Sequence, residues 1–395
     1  MSTFMRERFI PPSRLKALPP YLFQEIDRVK RELKKQGKDV IDLGVGDPDL
    51  PTPNFIIEEL HRAARDPKNH RYALDAGLPE LREAIAAWYK KRFDVDLDPV
   101  TEVLPLLGSK EGIGHLPLAL LDPGDAALIP NPGYPVYRSG VVFAGAEPVD
   151  MPLLAENGYL PDLTKVSSSV VGRVKLMFLN YPNNPTAACC DLNFFKAAVT
   201  FAAQHGIAVA HDFAYSEIAY DGYRPPSFLS VDGAKEIAIE FHSLSKGCNM
   251  TGWRIGFAVG SKNILALLAK IKANLDSGIF QAIQVAGIKA LEKSDMISAE
   301  SVSFYVRRRD MIVEALKSMG IQVKPPKATL YIWAPVPKGF TSAQFAAKLL
   351  EETHIVVTPG DGFGSAGAGY FRISLTVPDG RLKEAVSRMH KLKFV

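Results

Sequence analysis

The chain has 395 residues, 47% of them hydrophobic and 23% charged, with a formal net charge of +4 at pH 7. That balance belongs to a soluble globular protein long enough for two structural domains. It leaves no excess of positive charge to grip nucleic acid. No apolar window reaches the length needed to cross a bilayer, so no membrane partner is expected. The first residues, M-S-T-F-M-R-E-R-F-I-P-P, contain no apolar core of signal-peptide length. Cys189, Cys190 and Cys248 show no metal-ligand spacing. Adjacent cysteines cannot close an ordinary disulfide, which points to a reduced, cytoplasmic chain with no metal site.

In chain order, residues 1–20 are rich in Pro and basic residues and read as an arm rather than core. Residues 22–36 form an amphipathic helix; the basic piece 30–38 is its solvated face rather than a binding patch. A strand at 40–45 leads into the turn formers G-D-P-D-L-P-T-P. A helix at 54–64, capped by Asn54 or Thr52, is followed by R-Y-A-L-D-A-G and a helix at 78–92. From Val103 onwards short apolar strands alternate with helices. Strands are expected at 103–107, 126–129, 141–149, 174–180, 207–211, 237–242 and 255–259, and helices at 112–121 and 193–205. Such alternation predicts a mostly parallel sheet covered on both faces. A long helix at 265–291, interrupted at 276–278, and another at 299–319 lead to a second, α+β unit. There, strands are expected at 322–324, 329–335 and 371–375, with helices at 342–352 and 381–392.

Polar residues collect just after five of the expected strands, where open α/β sheets bind ligands. The stretch F-H-S-L-S-K-G-C-N-M-T-G-W-R-I-G (residues 241–256) holds Lys246 between two apolar runs. A lysine in a turn ordinarily faces water. One flanked by Ser, Gly, Asn and Thr between buried strands can instead act as a base or a Schiff-base nucleophile. Cys248 beside it is read as a small pocket-wall residue rather than a reactive thiol. Gly108, Ser109 and Lys110 open a helix, whose first amides suit a phosphate. Ser243 and Arg254 can bring a hydroxyl and a charged fork to the same anion. Asn184 supplies a neutral donor. Asp212, after the apolar run I-A-V-A-H, requires a cation or several donors, and Tyr215 follows it. Pyridoxal 5'-phosphate satisfies the whole set: an aldehyde for the lysine, a phosphate for the cradle and a ring nitrogen for the carboxylate.

Y-P-N-N-P-T, D-F-A-Y, S-L-S-K-G-C-N-M-T-G-W-R-I-G-F and F-R-I-S follow one another along the chain in the order found in class I/II (fold type I) aminotransferases. The chain resembles that family from Leu43 onwards. The resemblance implies an α/β PLP-transferase fold, with a large domain built on a mostly parallel seven-stranded sheet and a smaller α+β domain. The expected division is an arm at 1–20, the small domain at 21–45 and 295–395, and the large cofactor-binding domain at 46–294. By the same resemblance Lys246 is the Schiff-base lysine and proton carrier, and Asp212 pairs with the ring nitrogen. Asn184 and Tyr215 contact the ring oxygen, and Tyr134, otherwise a turn aromatic, stacks on the ring. Ser109, Lys110 through its backbone, Ser243 and Arg254 hold the phosphate. Arg372 binds the substrate α-carboxylate as a fork that lysine does not reproduce, helped by Gly46. The family's sites lie at a dimer interface. Tyr72 matches a tyrosine that reaches the neighbouring subunit's phosphate, and Ser277 with Gly278 matches a second cross-subunit contact, so a homodimer is implied. Gly247-Cys248 and Ala187 depart from the commoner family pattern.

Within the family, G-V-G-D-P-D-L-P-T-P, G-S-K-E-G-I and P-G-D-G-F-G most resemble the LL-diaminopimelate aminotransferases, which act with 2-oxoglutarate on the lysine pathway. Asp75 stands where those enzymes place a glutamate near the substrate's distal end; it reads equally well as a loop carboxylate capping a turn. The alternatives are an aspartate, alanine or broad-specificity aminotransferase and, more remotely, a pyridoxal-phosphate β-lyase or a non-catalytic effector-binding module.

Overall fold

The computed structural model describes residues 10–18, 22–73 and 76–394. Most of the expected arm and Asp75 lie outside the described residues. After a short strand β1 (Ile41–Asp42), the apolar runs bounded by turn formers pair into one sheet. Its strands are β2 (Val103–Leu106), β3 (Ala126–Asn131), β4 (Glu147–Pro152), β5 (Val174–Leu179), β6 (Ala208–Asp212), β7 (Ala238–Ser243) and β8 (Gly256–Gly260). The order is β2-β8-β7-β6-β5-β3-β4. β3, β4, β5, β6 and β7 pair in parallel, whereas β8 is antiparallel to both of its neighbours, β7 and β2.

Side chains that alternate along each strand enter two separate cores, because successive Cβ atoms point to opposite faces. Ala126 and Leu128 belong to one core, Ala127 and Ile129 to the other; Met177 and Leu179 likewise oppose Leu176 and Phe178. The first core receives the helices Asn54–Ala64, Pro79–Phe93, Leu192–His205 and Gln281–Glu292, and the second receives Ser109–Leu120, Pro135–Phe143 and Lys262–Leu275. Burial on both faces is why these strands read as continuous apolar runs.

The smaller α+β domain has its own core. The strands β9 (Tyr331–Pro335), β11 (Thr358–Pro359) and β12 (Tyr370–Ser374) form an antiparallel sheet of order β11-β12-β9, while β1 pairs in parallel with β10 (Ile355–Val356). Ile41, Leu43, Ile312, Leu316, Phe345, Phe371 and Leu382 pack together there with Tyr215 and Ile218 from the larger part. Lys30, on the helix Leu22–Lys35, joins this region through Asp42 at 2.8 Å.

Several expectations are corrected. Residues 141–149 are not one strand. The helix Pro135–Phe143 buries Val136, Tyr137, Gly140 and Val141, ends near Gly145 at φ +79, and gives way to β4. An unbroken apolar run fits a buried helix as well as a strand, and only packing decides between them. Residues 322–324 pair with no strand among the described residues; Val323 packs against the small core. The stretch 265–291 is two helices separated at the expected break. The helix at Asn54 takes Pro53 as its cap and uses no side-chain oxygen. Cys248 lies in the core rather than in a pocket wall, and burial pushes its thiol up to about 12.

One buried network ties the sheet's centre to its helices. Glu240 of β7 accepts from His211 Nδ1 on β6 (2.6 Å), Ser227 Oγ (2.7 Å), the Phe228 amide (2.8 Å) and the Tyr89 hydroxyl. Burial alone would raise its pKa. The surrounding donors, His211 foremost, overcome that and hold the carboxyl well below the usual range. Removing the carboxylate strands those donors, so Glu240→Ala is expected to lower the unfolding free energy by about 3–5 kcal/mol in urea denaturation near neutral pH. Because the folded pKa is depressed, this contribution is complete above the unfolded carboxylate value and is lost as pH falls through the folded one. Wild type and variant should therefore converge in stability towards acid.

Candidate active site

A cavity of about 460 Å³ opens at the C-terminal ends of the parallel strands. Ser109 and Lys110 reach it after β2, Tyr134 after β3, Asn184 after β5 and Tyr215 after β6, while Asp212 ends β6 itself. Ser243 closes β7 and Lys246 follows it. Arg254 precedes β8, whose reversed direction brings its first residues to the same edge. Gly46, downstream of β1, and Arg372, on β12, line the cavity from the other side. Tyr72 stands apart: it does not line this cavity and is 90% exposed.

Lys246 belongs to a single helical turn, Leu244–Gly247, that Ser243 caps by accepting from the Ser245 amide at 3.2 Å. Its Nζ donates to the Gly46 carbonyl at 2.7 Å. Desolvation lowers the amine's pKa, with Tyr331 and Asp47 pulling the other way. A larger neutral fraction makes it a better nucleophile than a surface lysine.

Asp212 is buried, and its Oδ2 accepts from the Tyr137 hydroxyl at 2.8 Å. Oδ1 is buried with no hydrogen-bond partner. Desolvation raises the carboxyl's pKa against the opposing pull of Tyr137, His211 and the Ala214 amide. An anion in this state is completed by a donor that carries positive charge.

Arg372 is 1% exposed. Nη1 donates to Asn184 Oδ1 at 2.7 Å and Nη2 to the Gly44 carbonyl at 2.6 Å. The guanidinium also lies over the Tyr331 ring, 4.0 Å from its centroid, and over Phe363 at 4.7 Å. Desolvation lowers its pKa, but guanidinium starts so high that it stays charged. Since arginine has donors only, the amide atom facing it must be oxygen, which turns the Asn184 NH₂ the other way. Tyr215 shares a hydrogen bond with Tyr331 at 3.0 Å, and burial, then Tyr331, hold its phenol well above its ordinary pKa.

On the anion side, Gly108 at φ +81 precedes the helix Ser109–Leu120. A Cβ at Gly108 would stand 2.5 Å from Arg254 Nη2, and one at Gly256 would stand 2.8 Å from the Ser109 amide nitrogen. The glycines are what allow arginine and helix start to approach each other. Arg254 itself adopts φ +56, and its Nη1 donates to the Thr251 carbonyl at 3.0 Å.

The set fits one cofactor. A carboxylate oxygen lacking a donor matches a protonated ring nitrogen, a helix start beside an arginine matches a phosphate, and an amine of lowered basicity matches an aldehyde. On an open α/β sheet with this crossover order, that defines a pyridoxal-phosphate enzyme of fold type I. Comparison with known proteins carries this further: the chain belongs to the family Aminotransferase class I and II, whose model matches residues 38–389. An LL-diaminopimelate aminotransferase of Dehalococcoides mccartyi is 56% identical over 380 residues, 96% of this chain and 98% of that protein. A second, from Syntrophobacter fumaroxidans, is 53% identical over 386 residues, 98% and 100% of the two chains. Among solved structures, apo-BacF of Bacillus subtilis matches with TM-score 0.94 and 43% identity, covering 98% of this chain and all of that one. The protein is therefore a pyridoxal-phosphate-dependent aminotransferase, acting on small amino and 2-oxo acids.

Sequence reasoning missed Tyr137, Tyr331 and Asp47. Tyr137 had a signal, because it lies three residues after Tyr134 and helical spacing turns both towards one side. Tyr331 had none, since the register that sets Ile332 opposite Ile373 exists only in the folded sheet.

The tight approach at Gly256 yields a prediction. Its Cβ would also meet the His242 carbonyl at 2.7 Å, and neither backbone contact can give way. Gly256→Ala is expected to cost about 1–3 kcal/mol of stability and to weaken cofactor retention, read by thermal unfolding and by absorbance after dialysis.

Proposed function

We propose that this aminotransferase exchanges the amino group between LL-diaminopimelate and 2-oxoglutarate, a step of lysine biosynthesis, and that the cavity at the sheet's C-terminal edge is its active site. The observation that supports the substrate is the 56% identity, over nearly the full length of both chains, with a relative of that name. The observation that supports the site is the buried Asp212 oxygen that lacks a donor, beside a lysine of lowered basicity.

When bound, pyridoxal phosphate supplies a carbonyl carbon for the amine and a protonated ring that draws electrons from the bonds at the substrate's α-carbon. Lys246 would hold the cofactor through its Nζ, and the same amine would take and return the proton of the α-carbon, for which a lowered pKa suits it. Asp212 would keep the ring nitrogen protonated, its orientation fixed by Tyr137. The Asn184 NH₂ and the Tyr215 hydroxyl would donate to the ring oxygen, and Tyr134 would cover the ring. Ser109, the Lys110 backbone, Ser243 and Arg254, all lining the cavity, would hold the phosphate. Arg372 binds the α-carboxylate as a planar fork, preset by Asn184 and Gly44, with Gly46 alongside.

We further infer a homodimer with shared sites. Tyr72 at 90% exposure and the exposed Ser277, next to Gly278, support it, at the positions that match the family's cross-subunit contacts, and Leu275 and Phe280 add exposed apolar surface beside them. Residues 46–294 then act as the large domain, and 21–45 with 295–395 as the small one, a division supported by cores that are distinct except where Tyr215, Ile218 and Tyr220 enter the small one and Ile297 the large one. A reducing, cytoplasmic setting is supported by the free Cys189, Cys190 and Cys248. No helix among the described residues is long and apolar enough to cross a membrane.

A donor screen with 2-oxoglutarate tests the substrate, comparing LL-diaminopimelate with aspartate, glutamate, alanine and methionine. LL-diaminopimelate should give the highest kcat/KM, and a preference for aspartate or alanine would replace the reading. Borohydride reduction of the holoenzyme, followed by peptide mapping, should place the label on Lys246. Lys246→Ala should retain cofactor yet lose at least about a hundredfold in turnover. Arg372→Lys keeps the charge but loses the fork, and KM for donor and keto acid should rise roughly 10–100-fold; unchanged kinetics would remove Arg372 from the site.

A further inference from the structure

We infer that Asp49 and Arg308, neither of which lines the cavity, are positioning residues for this reaction: their ion pair holds the backbone segment whose carbonyls orient both Arg372 and Lys246. The inference rests on the roles proposed above for those two side chains.

Gly44 O receives Arg372 Nη2 at 2.6 Å, and Gly46 O receives Lys246 Nζ at 2.7 Å, so one short stretch of backbone meets both charges. Its upstream side is well anchored. The Leu43 amide bonds to Val356 O, and Leu43 O accepts from the Ser374 amide. Thr358 Oγ1 donates to Gly44 O at 2.8 Å and Thr376 Oγ1 to Val45 O at 2.9 Å. The downstream side differs: among the described residues, positions 47–52 make no backbone–backbone hydrogen bond. Pro48 and Pro51 have no amide to give. The side-chain tie there is Asp49, whose two oxygens accept from Arg308 Nη1 at 2.6 Å and Nη2 at 3.0 Å. The next is Thr52 Oγ1, on the Asn249 carbonyl at 2.6 Å.

Arg308 is 2% exposed on the helix Ser294–Ser318. Its Nη1 also donates to Leu375 O at 3.1 Å, and its Nε to Asp379 Oδ1 at 2.7 Å. Leu375 directly follows β12, the strand that carries Arg372. A single planar guanidinium therefore joins the loop that receives the substrate-binding arginine to the strand that presents it. A lysine has its three donors on one nitrogen and cannot grip both Asp49 oxygens from separate nitrogens while also reaching Leu375 O and Asp379.

Asp49 and Asp379 share the same arginine, which allows a clean test on the cofactor-loaded enzyme. Asp49→Ala should raise KM for amino donor and keto acid roughly tenfold. It should weaken binding of succinate, followed through the cofactor's visible absorbance, by a similar factor. Asp379→Ala should lower the melting temperature but leave KM and succinate binding within about twofold. Should Asp49→Ala fold poorly, Asp49→Asn keeps the volume and should shift both quantities in the same direction by a smaller factor. Equal shifts from the Asp49 and Asp379 variants, or succinate binding unmoved by either Asp49 variant, would overturn the inference. Arg372→Lys separates the two failures. If it weakens succinate binding and the Asp49 variants do not, only the clamp fails; if it too has no effect, the site assignment fails.

Discussion

Asp212 ends its strand with a carboxylate drawn out of water, one oxygen on Tyr137 and the other lacking a donor. A charge in that position is costly unless something positive completes it. The cavity around it repeats the same tension with opposite signs: burial lowers the basicity of Lys246 and of Arg372 while it raises that of Asp212. Two cations and one anion, each desolvated on its own, are arranged to face a shared space. The surrounding fold can be read as the means of keeping them there. The two sheet cores hold the strand ends rigid, the small domain supplies Arg372, and the segment 44–46 receives the arginine and the lysine on its carbonyls.

Much of this was legible in the sequence because of how open α/β sheets place their loops. Ser109, Asn184, Asp212 and Lys246 each follow an apolar run, so strand assignment alone sends them to one edge. Arg372 stood out differently, as a charge between Phe371 and Ile373 on an apolar strand. What escaped depended on contacts between segments far apart in the chain. The Tyr331 hydroxyl would lie 2.0 Å from a Cβ at Gly46, a proximity that neither local sequence contains. The Tyr137 bond to Asp212 spans 75 residues. The helix Pro135–Phe143 was hidden because V-V-F-A suits either secondary structure, and the proline at its first position was the overlooked sign. Asp75 carries the expectation about the substrate's distal end and lies outside the described residues.

The small domain shows why position along the chain is a poor guide to position in the site. Its sheet β11-β12-β9 is assembled from strands that follow the long helix Ser294–Ser318, yet its core also takes in Ile41 and Leu43, more than two hundred residues earlier. Pairing of β1 with β10 returns the early segment to the late one. Without that return, Gly44 and Gly46 would not meet Arg372 and Lys246.

The reversed direction of β8 within the seven-stranded sheet has a mechanical consequence. Because β7 and β8 form a ladder with Ser243 opposite Gly256, the residues between them leave the sheet and come back at the same rung. Lys246 rides near the outgoing foot of that excursion and Arg254 near the returning one. Their separation is therefore gauged by the spacing of two hydrogen-bonded strands, not by the length or stiffness of the chain that joins them.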